Sequence, residues 1–284
     1  MLGKLKKILT PEEPKLAQPA APASNWVPLG EKNPFDLGLK DATLSGWFNQ
    51  ATNELYSGFP ISAHDVVLDV GCGNGGNIHF CAMRGADIII ADIDAQKIES
   101  TRQRLNETPA RSVRCLVTDS APIPLETGSA SRVVCTEVIE HVDDPQAFIA
   151  ELVRVGQPGG LYLLSVPHPS SEDLQRHVAK PAYFEKPNHI RVISEEQFAA
   201  WVSEAGLEVL SHTRYGFYWS MWMLMFWDAE VTFENPDHPM LHHWTETWHA
   251  LLDSPRGAKI KAALDEVVAK SQVIIARKPS ETTQ

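Results

Sequence analysis

Residues 66–77, VVLDVGCGNGGN, constrain this chain more than any other stretch. Val66, Val67, Leu68 and Val70 form an apolar run that reads as a buried strand. It runs into a turn containing Gly71, Gly73, Gly75 and Gly76. Glycines there allow a tight turn and let a ligand approach bare N–H groups at the start of a helix. Gly71, Gly73 and Gly76 also satisfy G-x-G-x-x-G, a pattern that often holds a pyrophosphate. Asp69 argues against a pyrophosphate here. A carboxylate at the strand end would be repelled by phosphate and costly to desolvate beside it. The ligand expected at this turn carries a positive charge.

A second acid points to a ribose. Residues 86–91, ADIIIA, read as another buried strand, and Asp92 follows 21 positions after Gly71. Nucleotide-binding α/β units place a carboxylate on the ribose hydroxyls at roughly this separation. Asp94 competes for that role, but it sits where it would cap a helix beginning near Ala95. Residues 113–117 form a third short strand before Asp119 and Ser120, and 132–136 a fourth before Glu137. Asp144 caps a helix with Pro145 at its first position, and Phe148, Ile149, Leu152 and Val153 line one face of it. LYLLSV is a fifth buried strand. Strand–helix alternation of this kind specifies a doubly wound parallel α/β sheet.

Four blocks in order carry a family resemblance: VLDVGCGNGGN, IIIADID, CLVTDSAPIPLETGSASRVVCTEVIEHVDDP and ELVRVGQPGGLYLLSVPHP. Over about residues 60–170, and more loosely to about 215, the chain resembles the class I S-adenosylmethionine-dependent methyltransferases. The branch is that of the ubiquinone-biosynthesis O-methyltransferases and related small-molecule enzymes. The resemblance implies a mostly parallel seven-stranded Rossmann-like sheet, and the residues between the expected strands six and seven read as a helical insertion that the minimal fold does not need. The resemblance also implies S-adenosyl-L-methionine as cofactor, contacted by Asp69, Gly71, Gly73, Gly75, Asp92, Ile93, Asp119, Ser120 and Glu137. Asp119 would take the adenine amino group and the following N–H a ring nitrogen. The expected reaction is O-methylation of a small-molecule or lipid-linked acceptor. Methylation of a glycan fits the motifs too, and a non-catalytic S-adenosylmethionine-binding module stays open. An NAD-dependent oxidoreductase is opposed by Asp69 and by the Asp119 block.

The acceptor's proton directs attention to histidine. His141 follows Glu137 by four positions, His168 follows strand five, and His189 stands with Arg191 before the helix capped by Ser194. These three are the candidate bases. His242, Glu246 and His249 could share a helix face, but no other ligand pattern supports them, and no metal is expected.

The rest of the chain bounds the setting. A net charge of −11 argues against nucleic acid as the main partner, because phosphate neutralisation needs a basic face. Cys72, Cys81, Cys115 and Cys135 lack a C-x-x-C pair and read as reduced thiols of a cytoplasmic protein. Residues 1–38 divide into a basic amphipathic tip, MLGKLKKIL, and a linker with six prolines between positions 10 and 34. The tip reads as a frayed tail, or as a weak membrane-surface or partner contact. The catalytic domain is expected over 39–284, with 39–56 helical and Trp47, Phe48 and Tyr56 over the cofactor mouth. Residues 216–268 form the insertion and hold five of the eight tryptophans. They are expected to form a substrate lid, a lipid-facing surface or a dimer contact, or else ordinary packing onto the sheet edge. The sequence indicates no oligomeric state.

Overall fold

Seven of the hydrophobic runs become one sheet in the computed structural model, which describes residues 34–233 and 235–280. The amphipathic tip and most of the linker lie outside the described residues. Strand β4 (Val66–Val70) is central, pairing in parallel with β5 (Asp87–Asp92) and β7 (Ala130–Thr136). Strands β6 (Ser112–Val117) and β8 (Gly156–Pro167) extend it on either side, also in parallel. Strand β10 (Ser271–Arg277) runs antiparallel between β8 and β9 (Glu208–Tyr215), giving the order β6-β5-β4-β7-β8-β10-β9. β4 and β5 are apolar along nearly their whole length because helices cover both faces of the sheet. This is the Rossmann-like arrangement the motifs implied.

The helices between the strands start where the sequence places their caps. Asp94 accepts from the Gln96 and Lys97 N–H groups at 2.9 and 3.3 Å, opening a helix over Ala95–Leu105. Asp144 accepts from Ala147 N–H at 3.0 Å and opens Pro145–Val155. Ser194 accepts from Gln197 N–H at 3.1 Å and opens Glu195–Glu204. Phe148, Ile149, Leu152, Phe198 and Val202 fill the core on one face of the sheet. Ile78, Phe80, Ile98 and Leu105 fill the other. All four cysteines are free thiols.

The amino-terminal region departs from the helix expected over 39–56. Helix α1 (Pro34–Leu44) stops at Gly46, whose φ is +101° and where a Cβ would fall 2.4 Å from Ser57 Oγ. A small antiparallel sheet follows: β1 (Trp47–Asn49), β2 (Glu54–Tyr56) and β3 (Phe59–Pro60). Trp47 and Tyr56 are buried in the second core, with Trp47 packed on Tyr215 at 5.7 Å between ring centroids. They support the sheet rather than cover a cofactor mouth.

Three helices separate β9 from β10: α7 (Phe217–Ala229), α8 (Pro239–Leu252) and α9 (Gly257–Val267). Their aromatic side chains form a third core, in which Trp222 and Trp248 are almost fully buried. α1 is tied to it by Asp41, which accepts from Trp248 Nε1 at 2.9 Å and lies 3.6 Å from Lys261 Nζ. Burial raises the Asp41 carboxyl to about 6 against the opposing pull of Lys261, with Asp265 adding to the rise. A pKa raised on folding stabilises below the unfolded value and loses that contribution as pH rises through the folded one. Unfolding free energy should therefore fall between about pH 4 and 6, by at most about 1.4 kcal/mol per pH unit from this group. Asp41→Asn should flatten that segment in thermal melts taken across the range. An unchanged slope would show that Asp41 does not titrate there.

Candidate functional site

The carboxyl ends of β4, β5, β6 and β7 open onto one cavity of about 760 Å³. Open α/β sheets bind ligands at this end, where strand order reverses. The reversal here lies between β4 and β7. Gly75 begins the turn into the helix Gly76–Ala82 with φ +72°, and a Cβ on it would meet Thr101 Cγ2 at 2.5 Å. Only glycine fits that close packing.

Gly71, Asp92, Ile93, Asp119 and Ser120, all singled out by the motifs, stand together in the cavity wall. Asp92 is buried and organises the turn: Oδ2 accepts from Gly73 N–H at 3.1 Å and Oδ1 from Asp94 N–H at 3.0 Å. A carboxylate has about four acceptor positions, so each oxygen keeps capacity for a hydroxyl. Asp119 Oδ1 accepts from Ala121 N–H at 3.1 Å, and Ser120 adopts φ +65°. Asp69 is buried within β4, immediately before the cavity-lining Val70 and Gly71. Gly73 and Gly75 lie behind the wall and shape it.

Glu137 has a different place. It follows β7 with φ +55°, uncommon for a non-glycine residue. Its Oε2 accepts from Lys270 Nζ at 3.1 Å and its Oε1 from Ser165 Oγ at 3.2 Å, all three residues being buried. Burial pushes the Glu137 carboxyl up, but Lys270 outweighs it and holds the group below its ordinary range. Burial alone would lower the Lys270 ammonium, yet Glu137 and Glu172 raise it. Glu137 thus faces a buried ammonium and is not part of the cavity wall.

The three histidines separate. His141 stands in the wall, with Nδ1 2.8 Å from the Asn188 carbonyl oxygen and Nε2 3.4 Å from Glu140 Oε1. His189 is buried 5.0 Å from it between ring centroids, and its Nδ1 is 2.9 Å from Glu172 Oε2. Arg191 donates to the carbonyl oxygens of Ile139 and Asp143 at 3.2 and 3.0 Å, and to that of Val142, clamping the loop that carries His141. His168 lies elsewhere. Its Nδ1 accepts from Ser170 N–H at 3.2 Å, capping the helix Pro169–Gln175, and its Nε2 faces Glu195 at 3.3 Å. Burial holds its pKa below the ordinary value despite Glu195. A ring used this way has no lone pair to offer an acceptor.

Lys270, Glu172, Tyr183 and Glu140 were not singled out by sequence. Glu140 alone had a signal, its place in the EVIEH run. His242 and His249 pair separately with Asp237 and Asp253 at 2.9 and 3.1 Å.

Residues 68–164 match the family model described as a methyltransferase domain. The chain is 29% identical over 153 residues to the ubiquinone biosynthesis O-methyltransferase of Pectobacterium atrosepticum, covering 51% of this chain and 57% of that protein. It is 27% identical to the enzyme of the same name from Dechloromonas aromatica, covering 66% and 76%. It thus spans under two thirds of the Pectobacterium relative's length. Among solved structures, geranyl diphosphate C-methyltransferase from Streptomyces coelicolor A3(2) aligns with a TM-score of 0.51 at 14% identity, over 86% of this chain and 80% of that one. The [4+2]-cyclase SpnF aligns with a TM-score of 0.50 at 18% identity, over 86% and 79%. These likenesses carry the fold and leave the chemistry to the site. With the ordered motifs and the sheet order, the chain thus carries a methyltransferase domain over residues 68–164, set in a seven-stranded Rossmann-like sheet.

Proposed function

We propose that this protein transfers a methyl group from S-adenosylmethionine to a hydroxyl of a small-molecule or lipid-linked acceptor. The observation that carries this reading is the single cavity in which Gly71, Asp92, Ile93, Asp119 and Ser120 meet His141. The residues fit an adenosine-type ligand. Asp92 has acceptor capacity for a ribose diol, Asp119 stands where an adenine amino group would be received, and buried Asp69 favours positive charge. Bound there, S-adenosylmethionine supplies an electrophilic methyl group on a sulfonium leaving group. The chain's own part is to align the acceptor, exclude water and accept its proton. Val138, Val142 and Phe148 give the cavity apolar walls, and His141 offers an imidazole there. The names of the curated relatives favour an O-methyl acceptor.

Calorimetry with S-adenosylmethionine, S-adenosylhomocysteine and NAD in parallel tests the cofactor. The first two should bind and NAD should not; the reverse result would overturn the reading. Asp92→Ala should weaken S-adenosylmethionine binding by about 1.5–3 kcal/mol, as loss of hydrogen bonds involving a charged group does. A screen of phenols, quinone precursors and glycans with labelled methyl donor then identifies the acceptor.

A further inference from the structure

The glycine-rich turn is gripped by side chains that stand outside the cavity wall. With glycine at 71, 73, 75 and 76, the turn has few Cβ atoms to restrict it and many backbone states open to it. Ordering a segment on binding costs affinity, so a turn that is already fixed binds more tightly. Two peptide planes meet at Gly73, which adopts φ +53°. The plane before it is fixed by Asp92, whose Oδ2 accepts from Gly73 N–H at 3.1 Å. The plane after it carries Gly73 C=O and Asn74 N–H, and it can rotate independently about the glycine's ψ. That second plane needs its own anchor.

The helix Ala95–Leu105 supplies it. Thr101 is buried, and its hydroxyl donates to the Gly73 carbonyl oxygen at 3.1 Å. A threonine inside a helix can return its hydroxyl to the carbonyl four residues earlier. Here the hydroxyl goes instead to a residue 28 positions away. Arg104 Nη2 donates to the same Thr101 Oγ1 at 3.1 Å and also to the Asn74 carbonyl oxygen. A guanidinium only donates, so it takes a lone pair of the Thr101 oxygen and leaves the hydroxyl proton for Gly73. Donation into a hydroxyl that itself donates strengthens both bonds. The Gly73–Asn74 peptide is trans, which sets C=O and the following N–H on opposite sides of the plane. With Gly73 C=O drawn to the helix, Asn74 N–H is turned away from it. A Cβ on Gly75 would fall 2.5 Å from Thr101 Cγ2, so the missing side chain there is what lets helix and turn come this close.

We propose that Thr101 and Arg104 are positioning residues for S-adenosylmethionine, a clamp that locks the glycine-rich turn in the orientation that receives the cofactor's amino-acid end. The inference rests on the cofactor reading above. The ribose goes to Asp92, whose own geometry is set by the plane before Gly73. The amino-acid end carries a carboxylate, which needs N–H donors, and an ammonium, which needs an acid. The turn offers the first and Asp69 the second. Neither Thr101 nor Arg104 belongs to the cavity wall, so whatever they do for the cofactor passes through the turn. Arg104 lies on the exposed side of its helix. A substitution at the surface should therefore be felt inside the cavity, and only at one end of the ligand.

Calorimetry on the full chain with S-adenosylmethionine, S-adenosylhomocysteine and 5′-methylthioadenosine tests this without an acceptor. The third ligand keeps the base, ribose and sulfur and lacks the amino-acid end. Thr101→Val keeps the branched shape beside Gly75 and removes the hydroxyl, and Arg104→Met keeps length and removes the donors. Each should weaken the first two ligands about 3–10-fold, the loss expected of one hydrogen bond, and 5′-methylthioadenosine by less than about twofold. Thr101→Ser, which retains the hydroxyl, should bind all three as the wild type does. A purely structural role would lower the melting temperature and weaken the three ligands alike, leaving the ratio of their affinities where it was. An unchanged ratio in either Thr101→Val or Arg104→Met, through equal losses or through none, would overturn the clamp. So would a Thr101→Ser variant as impaired as Thr101→Val, because the hydroxyl would then not be what matters. The wild type separates the two levels. If it fails to bind S-adenosylmethionine, the cofactor reading fails; if it binds and the ratios do not move in the variants, only the clamp fails.

Discussion

Replacing His141 with glutamine is expected to slow methyl transfer about 10²–10⁴-fold while leaving S-adenosylmethionine affinity nearly unchanged, the loss typical of removing a general base. The geometry separates it from the other two histidines. His141 alone of the three stands in the cavity wall, with one nitrogen tied to backbone and the other beside a carboxylate. His168→Ala should leave the transfer rate close to wild type and cost about 1 kcal/mol of stability, the usual worth of a helix cap. Rate measurements with labelled methyl donor and melts of both variants check this contrast. Equal, large rate losses in the two would show that the cap at His168 also shapes the acceptor site. A wild-type rate in His141→Gln would remove His141 from catalysis.

Trp222→Ala should destabilise the protein by about 3–5 kcal/mol, the cost of deleting a large aromatic side chain from a packed interior. For a chain of this size that corresponds to a melting temperature lower by about 6–20 °C. Trp222 is fully buried, 5.3 Å from Phe226 and 6.3 Å from Phe233 between ring centroids, and it takes no part in the wall of the cavity. Trp227→Ala should act similarly and also remove a donor to Gln175 Oε1 at 3.1 Å. Through Tyr183, loss of Trp227 should loosen His189 as well. The alternative, an acceptor wall, requires an unchanged melting temperature with acceptor use greatly weakened. Calorimetric melts of each variant, with and without S-adenosylmethionine, decide between them.

Local patterns in the chain specified the cofactor half of the molecule. The run before Gly71, the acid at Asp92, the caps at Asp94, Asp144 and Ser194, and the strand ahead of Glu137 all recur in the structure where the motifs put them. Each is a short-range feature: a periodic apolar face, a side chain bonding a backbone N–H two or three residues on, or a glycine in a turn. Such features are set within a few residues and survive in the sequence as pattern. The helix expected over 39–56 failed for an equally local reason, the turn at Gly46, hidden by the surrounding aromatic residues.

The placement of the histidines and of the buried ion pairs was decided by tertiary structure. Glu172 and His189 are 17 positions apart, and Lys270 is 133 from Glu137, so no local pattern announces either pair. Lys270 meets Glu137 because β10 returns antiparallel beside β8, bringing Lys270 to the carboxyl end of β7. The three candidate histidines were equivalent as sequence. Folding gave one to the cavity wall, one to a buried carboxylate and one to a helix cap. That distinction depends on which neighbour claims each ring nitrogen, and only the packed structure supplies the neighbours.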